Sequence, residues 1–293
     1  MIFLRLMLLV SALTLASGGC APRTGPVPVT AGTAGATPSR DTHEQLQAVL
    51  WMQSSAEYWA LAAPIYVRAR AALDAAIRDT SWTAAIEQEG TSFSGLPLSV
   101  VMDLDETVFD NSTFQGQLVL DRTIYTPERW GRWVALAAAP EVPGAVDFVK
   151  YARARKVRVV FVTNRTVEEK PATLKNLDAL LGPGTPADDV LVTGENNWTS
   201  DKSGRRAFVA RTHRILMLVG DDLNDFVSVA SAKSPSDRLA LAQQHSTKWA
   251  DRWLMIPNPA YGTWDRIIYS GITTDPEVLL KKRETVRGFE KLR

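Results

Sequence analysis

The chain has 293 residues, 45% of them hydrophobic, which is enough apolar surface for one large α/β domain or two ordinary ones and too much for a disordered chain. Its 33 basic and 32 acidic side chains leave a formal charge of +1, which excludes a general electrostatic affinity for nucleic acid or anionic lipid. An anionic ligand therefore needs a local site.

From Met1 to Ala16 the chain is largely apolar with a single Arg5, and the small residues Ser17, Gly18 and Gly19 precede Cys20. The run is short for a permanent membrane span and ends as export signals end. Cys20 is the one cysteine of the chain, so it makes no internal disulfide. One reading is a signal peptide cut nearby with an incidental thiol. The other follows from likeness: the segment resembles a bacterial lipoprotein signal, which implies that residues 1–19 are removed and that Cys20 is lipidated, with the lipid bilayer as a partner. Ala21 after the cysteine then implies the outer membrane of a Gram-negative cell. Residues 20–40 are rich in Pro, Gly, Thr and Ala, too poor in large apolar side chains to fold, and read as a flexible tether.

From residue 41 a folded domain is expected to run to residue 293. Asp41 and Glu44 are spaced as a capping box, and Leu46, Val49, Leu50, Ala56 and Trp59 recur at helical spacing. The helix is expected to be interrupted near Pro64 and to continue to about Asp79, because Val67, Leu73 and Ile77 are separated by charged positions, within a helical segment 41–90. After a Gly/Ser/Pro loop at Gly90 to Pro97, short apolar runs alternate with helical stretches. Leu98–Leu104, Val157–Thr163, Asp189–Thr193, Ile215–Gly220 and Trp253–Pro257 are the expected strands. Near-continuous apolar runs suit strands covered on both faces, and helical crossovers between them predict an α/β fold, a doubly wound parallel sheet of Rossmann-like type. In such a sheet ligands sit beyond the carboxyl ends of the strands.

Those ends carry Asp103 and Asp105, then Thr163 and Asn164, then Asp221, Asp222 and Asp225. A single Asp there is an ordinary turn residue or helix cap. Several carboxylates gathered at one place repel one another and stay ionised only around a cation. Lys202 in Ser200-Asp201-Lys202-Ser203 and Thr163 each have a simpler role, as a solvated charge and as a strand residue, that only the aspartates outweigh.

Asp103-Leu104-Asp105-Glu106-Thr107 is a DxDxT signature, and with Thr163-Asn164, Lys202 and Gly220 to Asp225 in that order it resembles the haloacid dehalogenase (HAD) superfamily. The resemblance implies that Asp103 is a nucleophile forming an aspartyl phosphate, and that Asp105 protonates the leaving oxygen and then deprotonates water. It also implies that Thr163 and Asn164 hold the phosphoryl group and substrate, and that Lys202 neutralises charge. Mg²⁺ is expected on the Asp103 carboxylate, the Asp105 backbone carbonyl and Asp221, with Asp225 supporting that shell and Asp222 the least defined of the acids. The reaction makes an acidic optimum the expectation, because Asp105 must carry a proton as the leaving group departs.

Phe109 to Ser112, Trp51 to Tyr58, Trp130 to Trp133, Pro143 to Ala145 and Ile256 to Gly262 are similar to the class C nonspecific acid phosphatases, the lipoprotein e group. That likeness covers residues from about 42 to about 265. It implies an exported, magnesium-dependent enzyme active on small phosphomonoesters, including 5'-nucleotides and nicotinamide mononucleotide. It places a small cap at about 108–156, rich in aromatics (Phe109, Phe114, Tyr125, Trp130 and Trp133) that could simply pack the cap. In the resembling family aromatics matching Trp130 and Tyr261 flank the leaving group, where flat rings suit a base. No sequence-specific nucleic-acid binding is implied, and oligomerisation is left open. The alternatives are a catalytically weak haem- or nucleotide-binding outer-membrane lipoprotein, or a phosphotransferase on the same scaffold. His43, His213 and His245 are scattered without metal-ligand spacing, Gly182-Pro183-Gly184 reads as a turn, and Lys281 to Arg293 as a surface helix carrying Val286, Phe289 and Leu292.

Overall fold

The computed structural model describes residues 43–287; the signal, the tether, Cys20 and Asp41 lie outside the described residues, as does the end of the basic C-terminal segment with Phe289 and Leu292. Two helices lead: α1 (Leu46–Ser54) and α2 (Ala56–Arg78). The interruption expected at Pro64 falls instead at Ser55. That residue is extended, its Oγ donates to the Trp51 carbonyl at 2.7 Å, and it accepts from the Tyr58 N–H at 3.0 Å, so one side chain closes α1 and caps α2. Pro64 stays inside α2 on its exposed side, where the Ala60 carbonyl that loses its donor faces water. The capping box expected of Asp41 lies outside the described residues with it. α1 starts after Gln45 with no side-chain cap, and Glu44 pairs with Lys282 at 3.1 Å.

The buried face of α2 is Tyr58, Ala62, Tyr66, Ala69, Leu73 and Ala76, while Trp59 and Val67, apolar positions of the expected helix, are 62% and 69% exposed. The alanines let the helix lie close against its neighbours, between the large side chains of Tyr58, Tyr66 and Leu73 that are buried with them. Tyr66 then reaches the loop after the first strand, its hydroxyl donating to the Thr107 carbonyl at 2.5 Å.

The sheet follows: β1 (Leu98–Met102), β2 (Arg158–Thr166), β3 (Val190–Thr193), β4 (Arg214–Gly220) and β5 (Trp253–Met255). All pairings are parallel and the strand order is β3-β2-β1-β4-β5. Between strands lie α3 (Ser112–Leu120), α4 (Pro127–Leu136), α5 (Ala145–Ala154), α6 (Lys170–Leu181), α7 (Ser203–Ala210) and α8 (Pro235–Gln244), with α9 (Thr263–Arg266) and α10 (Asp275–Thr285) after β5. Alternation along β1 sends Val100 and Met102 into a core shared with α2 and α5, and Val101 into a second core with Val209, Phe226 and Trp253. Both faces are thus covered, as the unbroken apolar runs require. Of the stretch 108–156, α3 and α4 carry the aromatic cluster, whereas α5 packs on α2 and β2 as the crossover helix. Among the described residues no helix is long and apolar enough to cross a membrane.

Successive connections leave β1 toward β2 on one side and reach β4 on the other, so the order reverses between β1 and β4. A crevice opens at such a reversal, beyond the carboxyl ends of the strands. Asp103 follows β1 and Asp221 follows β4. The Asp103 N–H donates to Val219 at 2.9 Å, which extends the pairing to the threshold of the crevice.

Candidate active site

After β1 the chain turns tightly: the N–H groups of Val108 and Phe109 both reach the Leu104 carbonyl at 2.8 Å, and Glu106 adopts a left-handed conformation at φ 59°. The turn aims Asp103 and Asp105 in different directions. Asp103 is buried and its Oδ1 accepts from Lys202 Nζ. Lys202 stands just ahead of α7 and also donates to Asp225 Oδ1 at 2.5 Å.

Asp225 is held from the other side by the N–H of Asp222, at 2.9 Å from its Oδ2. Asp222 closes a capping box by accepting from the Asn224 N–H at 2.9 Å, and it binds both the N–H of Thr263, at 2.6 Å, and the Thr263 hydroxyl. Its task is to fasten the loop after β4 to the start of α9. Asp221 accepts from Asn258 Nδ2 at 2.7 Å and from Thr107 Oγ1 at 3.4 Å. One oxygen each from Asp103, Asp221 and Asp225 lies within 4.8 Å of the others.

Burial pushes the Asp103 carboxyl up to about 7 from its ordinary 3.8; the Lys202 ammonium pulls the other way, and Asp225 and Asp105 add to the rise. Burial, with Asp103 and Asp225 alongside, raises Asp221 well above the carboxylate range. Asp225 is raised by burial against the opposing Lys202. Lys202 itself, though burial disfavours its charge, is raised by Asp103 and Asp225. One ammonium among three carboxylates leaves an excess of negative charge in a water-poor place. An all-oxygen donor set with that excess fits a hard divalent cation.

The carboxylate of Asp105 lies apart from this cluster. It is clasped by Arg165, whose Nη2 lies 2.7 Å from Oδ1, and by Asn111 Nδ2 at 3.0 Å. Thr163 is buried at the same strand end as Arg165, its Oγ1 accepting the Arg165 N–H at 3.1 Å. Asn164 is exposed and its Oδ1 accepts from Arg205 Nη2 at 2.7 Å. Arg205, fully buried, also donates to the carbonyls of Thr163 and, at 2.8 Å, Thr199, tying the end of β2 to the loop that carries Lys202.

Trp130 on α4 packs edge-on against Phe114 at 5.2 Å between centroids and lies over the Arg165 guanidinium at 5.4 Å. Tyr261, in the loop after β5, donates its hydroxyl to the buried Glu106 carboxylate. The two aromatics thus border the Asp103–Asn111 loop from the cap and from the loop after β5.

The structure therefore brings Asp103, Lys202, Asp221 and Asp225 together, links Thr163 to the Arg165 backbone and Asp105 to its guanidinium, and leaves Asn164 exposed. Arg165, Asn111, Asn258, Glu106 and Arg205 went unremarked as site residues in the sequence. Arg165 carried a signal: it stands two positions after Thr163 on β2, hence on the same face.

A family model described as HAD superfamily, subfamily IIIB (Acid phosphatase), matches residues 16–264. Among solved structures, the chain is similar to the class C acid phosphatase from Bacillus anthracis, at 31% identity over 84% of this chain and 98% of that one, with a TM-score of 0.73. A structure of the class C acid phosphatase from Bacillus anthracis with tungstate bound matches at 30% identity over the same shares, with a TM-score of 0.72.

Proposed function

Since the chain belongs to subfamily IIIB of the HAD superfamily and is an acid phosphatase, we propose that it is an exported, Mg²⁺-dependent enzyme that hydrolyses small phosphomonoesters, 5'-nucleotides and nicotinamide mononucleotide among them, through an aspartyl phosphate on Asp103. The observation that carries this reading is the single Lys202 ammonium shared between Asp103 and Asp225, with Asp221 completing an oxygen cluster.

In the first step an Asp103 oxygen bonds to phosphorus as the bond from phosphorus to the leaving oxygen breaks, and Asp105 passes its proton to that oxygen. In the second, water attacks the aspartyl phosphate and Asp105 takes its proton, which frees inorganic phosphate and restores the Asp103 carboxylate. Thr163 and Asn164 hold the phosphoryl oxygens and the adjoining part of the substrate. Lys202 fixes the nucleophile and offsets the charge of the incoming phosphate. Asp103, Asp221 and the Asp105 backbone carbonyl would hold the Mg²⁺, with Asp225 supporting them through Lys202. When bound, the ion supplies positive charge against the phosphoryl oxygens.

Trp130 and Tyr261 flank the leaving group, and ring faces accept any base, which supports a broad range of nucleotides. The Met1 to Cys20 segment supports export and anchoring of a lipidated Cys20 in the outer membrane of a Gram-negative cell.

Hydrolysis of p-nitrophenyl phosphate by the purified protein tests the reading. Activity is expected to vanish on chelation, to return with Mg²⁺, and to fall by about 10⁴-fold or more in Asp103→Asn. Persistent turnover in that variant would remove Asp103 from the nucleophile role. Retention of Cys20→Ser in the membrane fraction of a Gram-negative host would remove the lipid anchor.

A further inference from the structure

The Asp105 carboxylate is gripped from two sides. Arg165 Nε lies 3.1 and 3.2 Å from its two oxygens and Nη2 lies 2.7 Å from Oδ1, while Asn111 Nδ2 donates to the same Oδ1 at 3.0 Å. Each donor is itself immobilised. Arg165 Nη1 donates to Thr173 Oγ1 at 3.1 Å, and the guanidinium carbon sits 4.8 Å from the Phe109 ring centroid and 5.4 Å from that of Trp130. Asn111 accepts Trp133 Nε1 at 2.8 Å on its Oδ1, and its N–H donates to Glu106 at 3.0 Å.

Burying a guanidinium is costly unless a carboxylate meets it, and the Arg165 side chain is 1% exposed against 17% for Asp105. Asp105 is therefore the partner that reaches solvent, at the carboxyl end of β1. The arrangement is thus a rigid, planar fork presenting a carboxyl group at the edge of the site. Proton transfer needs that geometry, since donor and acceptor atoms must come within about 2.6–3.2 Å in a defined direction. A lysine, a point charge on a flexible stem, would hold the charge without setting the plane.

We propose that Arg165, with Asn111 as its counterpart, is a positioning residue that aims the Asp105 carboxyl at the leaving oxygen of the substrate, so that its contribution is largest where the leaving group must be protonated. The inference rests on the reading of Asp105 as the proton donor. In that step the proton moves from Asp105 to the ester oxygen while the oxygen–phosphorus bond breaks and the Asp103–phosphorus bond forms. An alkoxide leaving group requires the proton. p-Nitrophenolate, a stabilised anion, does not.

The test compares kcat/KM for β-glycerol phosphate with kcat/KM for p-nitrophenyl phosphate, in the Mg²⁺-loaded enzyme and in Arg165→Lys, Arg165→Gln, Asn111→Ser and Asp105→Asn. kcat/KM reports the steps up to leaving-group departure, so a slower second step does not enter it. In Asp105→Asn the ratio of the two values is expected to fall about 100-fold or more, the range of a lost general acid. In the Arg165 variants and in Asn111→Ser it is expected to fall about 10- to 100-fold, with Lys milder than Gln. Should Arg165→Gln fail to fold, Arg165→Lys and Asn111→Ser carry the comparison. A purely structural role would lower both substrates together and leave the ratio unchanged. An unchanged ratio in these variants beside a collapsed ratio in Asp105→Asn would overturn the inference and keep the proton donor. An unchanged ratio in Asp105→Asn would overturn the reading of Asp105, and the inference with it.

Discussion

Lys202 donates from Nζ to Oδ1 of Asp103, a residue 99 positions earlier in the chain, and both are almost wholly buried. The same nitrogen serves Asp225, so the ends of β1 and β4 and the start of α7 are joined through one ammonium group.

Lys202→Met strands two buried carboxylates. Removing one partner of a buried pair costs about 3–5 kcal/mol because the remaining charge is uncompensated. Thermal unfolding without divalent cation should show that loss at pH 7 and a smaller one at pH 4.5, where protonation relieves the repulsion. Turnover of p-nitrophenyl phosphate should drop about 10²- to 10³-fold, the size of a lost charge-stabilising group. Equal destabilisation at both pH values would show that the ammonium is not balancing these acids.

The crowded acids also set a pH dependence. In the cation-free protein Asp103 is raised from 3.8 to about 7, chiefly by burial, so the folded state binds more protons than the unfolded one. The stability this group contributes is fully present below its unfolded value and is lost as pH rises through the folded one. Asp221 and Asp225 are displaced in the same direction. A cation binds the ionised forms, so the rise in Tm on adding Mg²⁺ should be larger at pH 7 than at pH 4.5, with protons released on binding. A larger rise at pH 4.5 would contradict the displaced values.

Gly220 ends β4 where Asp225 folds back over it. A Cβ there would stand 2.2 Å from Asp225 Oδ2 and 2.3 Å from its Cβ, too close for any real contact. Gly220→Ala must push Asp225 away from Lys202, and overpacking of this kind costs about 1–3 kcal/mol. The expected outcome is a lower Tm together with a loss of activity that added Mg²⁺ does not restore. An alanine variant with unaltered kcat would show that Asp225 can move without consequence.

Asn258 orients Asp221 from the loop after β5. Partners of this kind typically change metal affinity by about 10- to 100-fold, so Asn258→Ala should need that much more Mg²⁺ for half-maximal activity. At saturating Mg²⁺ most of the rate should return. A kcat that stays low at any Mg²⁺ concentration would give Asn258 a different role.

Much of the architecture was legible because it is written in local patterns. The runs Leu98 to Leu104 and Ile215 to Gly220 read as doubly covered strands, and from them come β1, the central strand, which ends two residues earlier at Met102, and β4 beside it. The acids following them could be placed at one edge because parallel strands put their carboxyl ends side by side. The α2 helix was legible as a helix and misjudged in its face, since Trp59 and Val67 look like core by size whereas the Ala62, Ala69 and Ala76 stripe is buried. Close packing against neighbouring elements favours small side chains on the contact face, and hydrophobicity alone does not register that.

Residue types, their order and their distances from strand ends are properties of the chain, and they were enough to nominate Asp103, Asp221 and Lys202. The clasp of Arg165 on Asp105, the loan of Lys202 to two acids and the diversion of Asp222 to Thr263 were settled only in three dimensions. The reason is physical: each depends on strand register and on the loops that follow the strands, which bring groups 23 to 99 residues apart into contact. Which oxygen meets which donor is decided by packing, after the backbone has been placed.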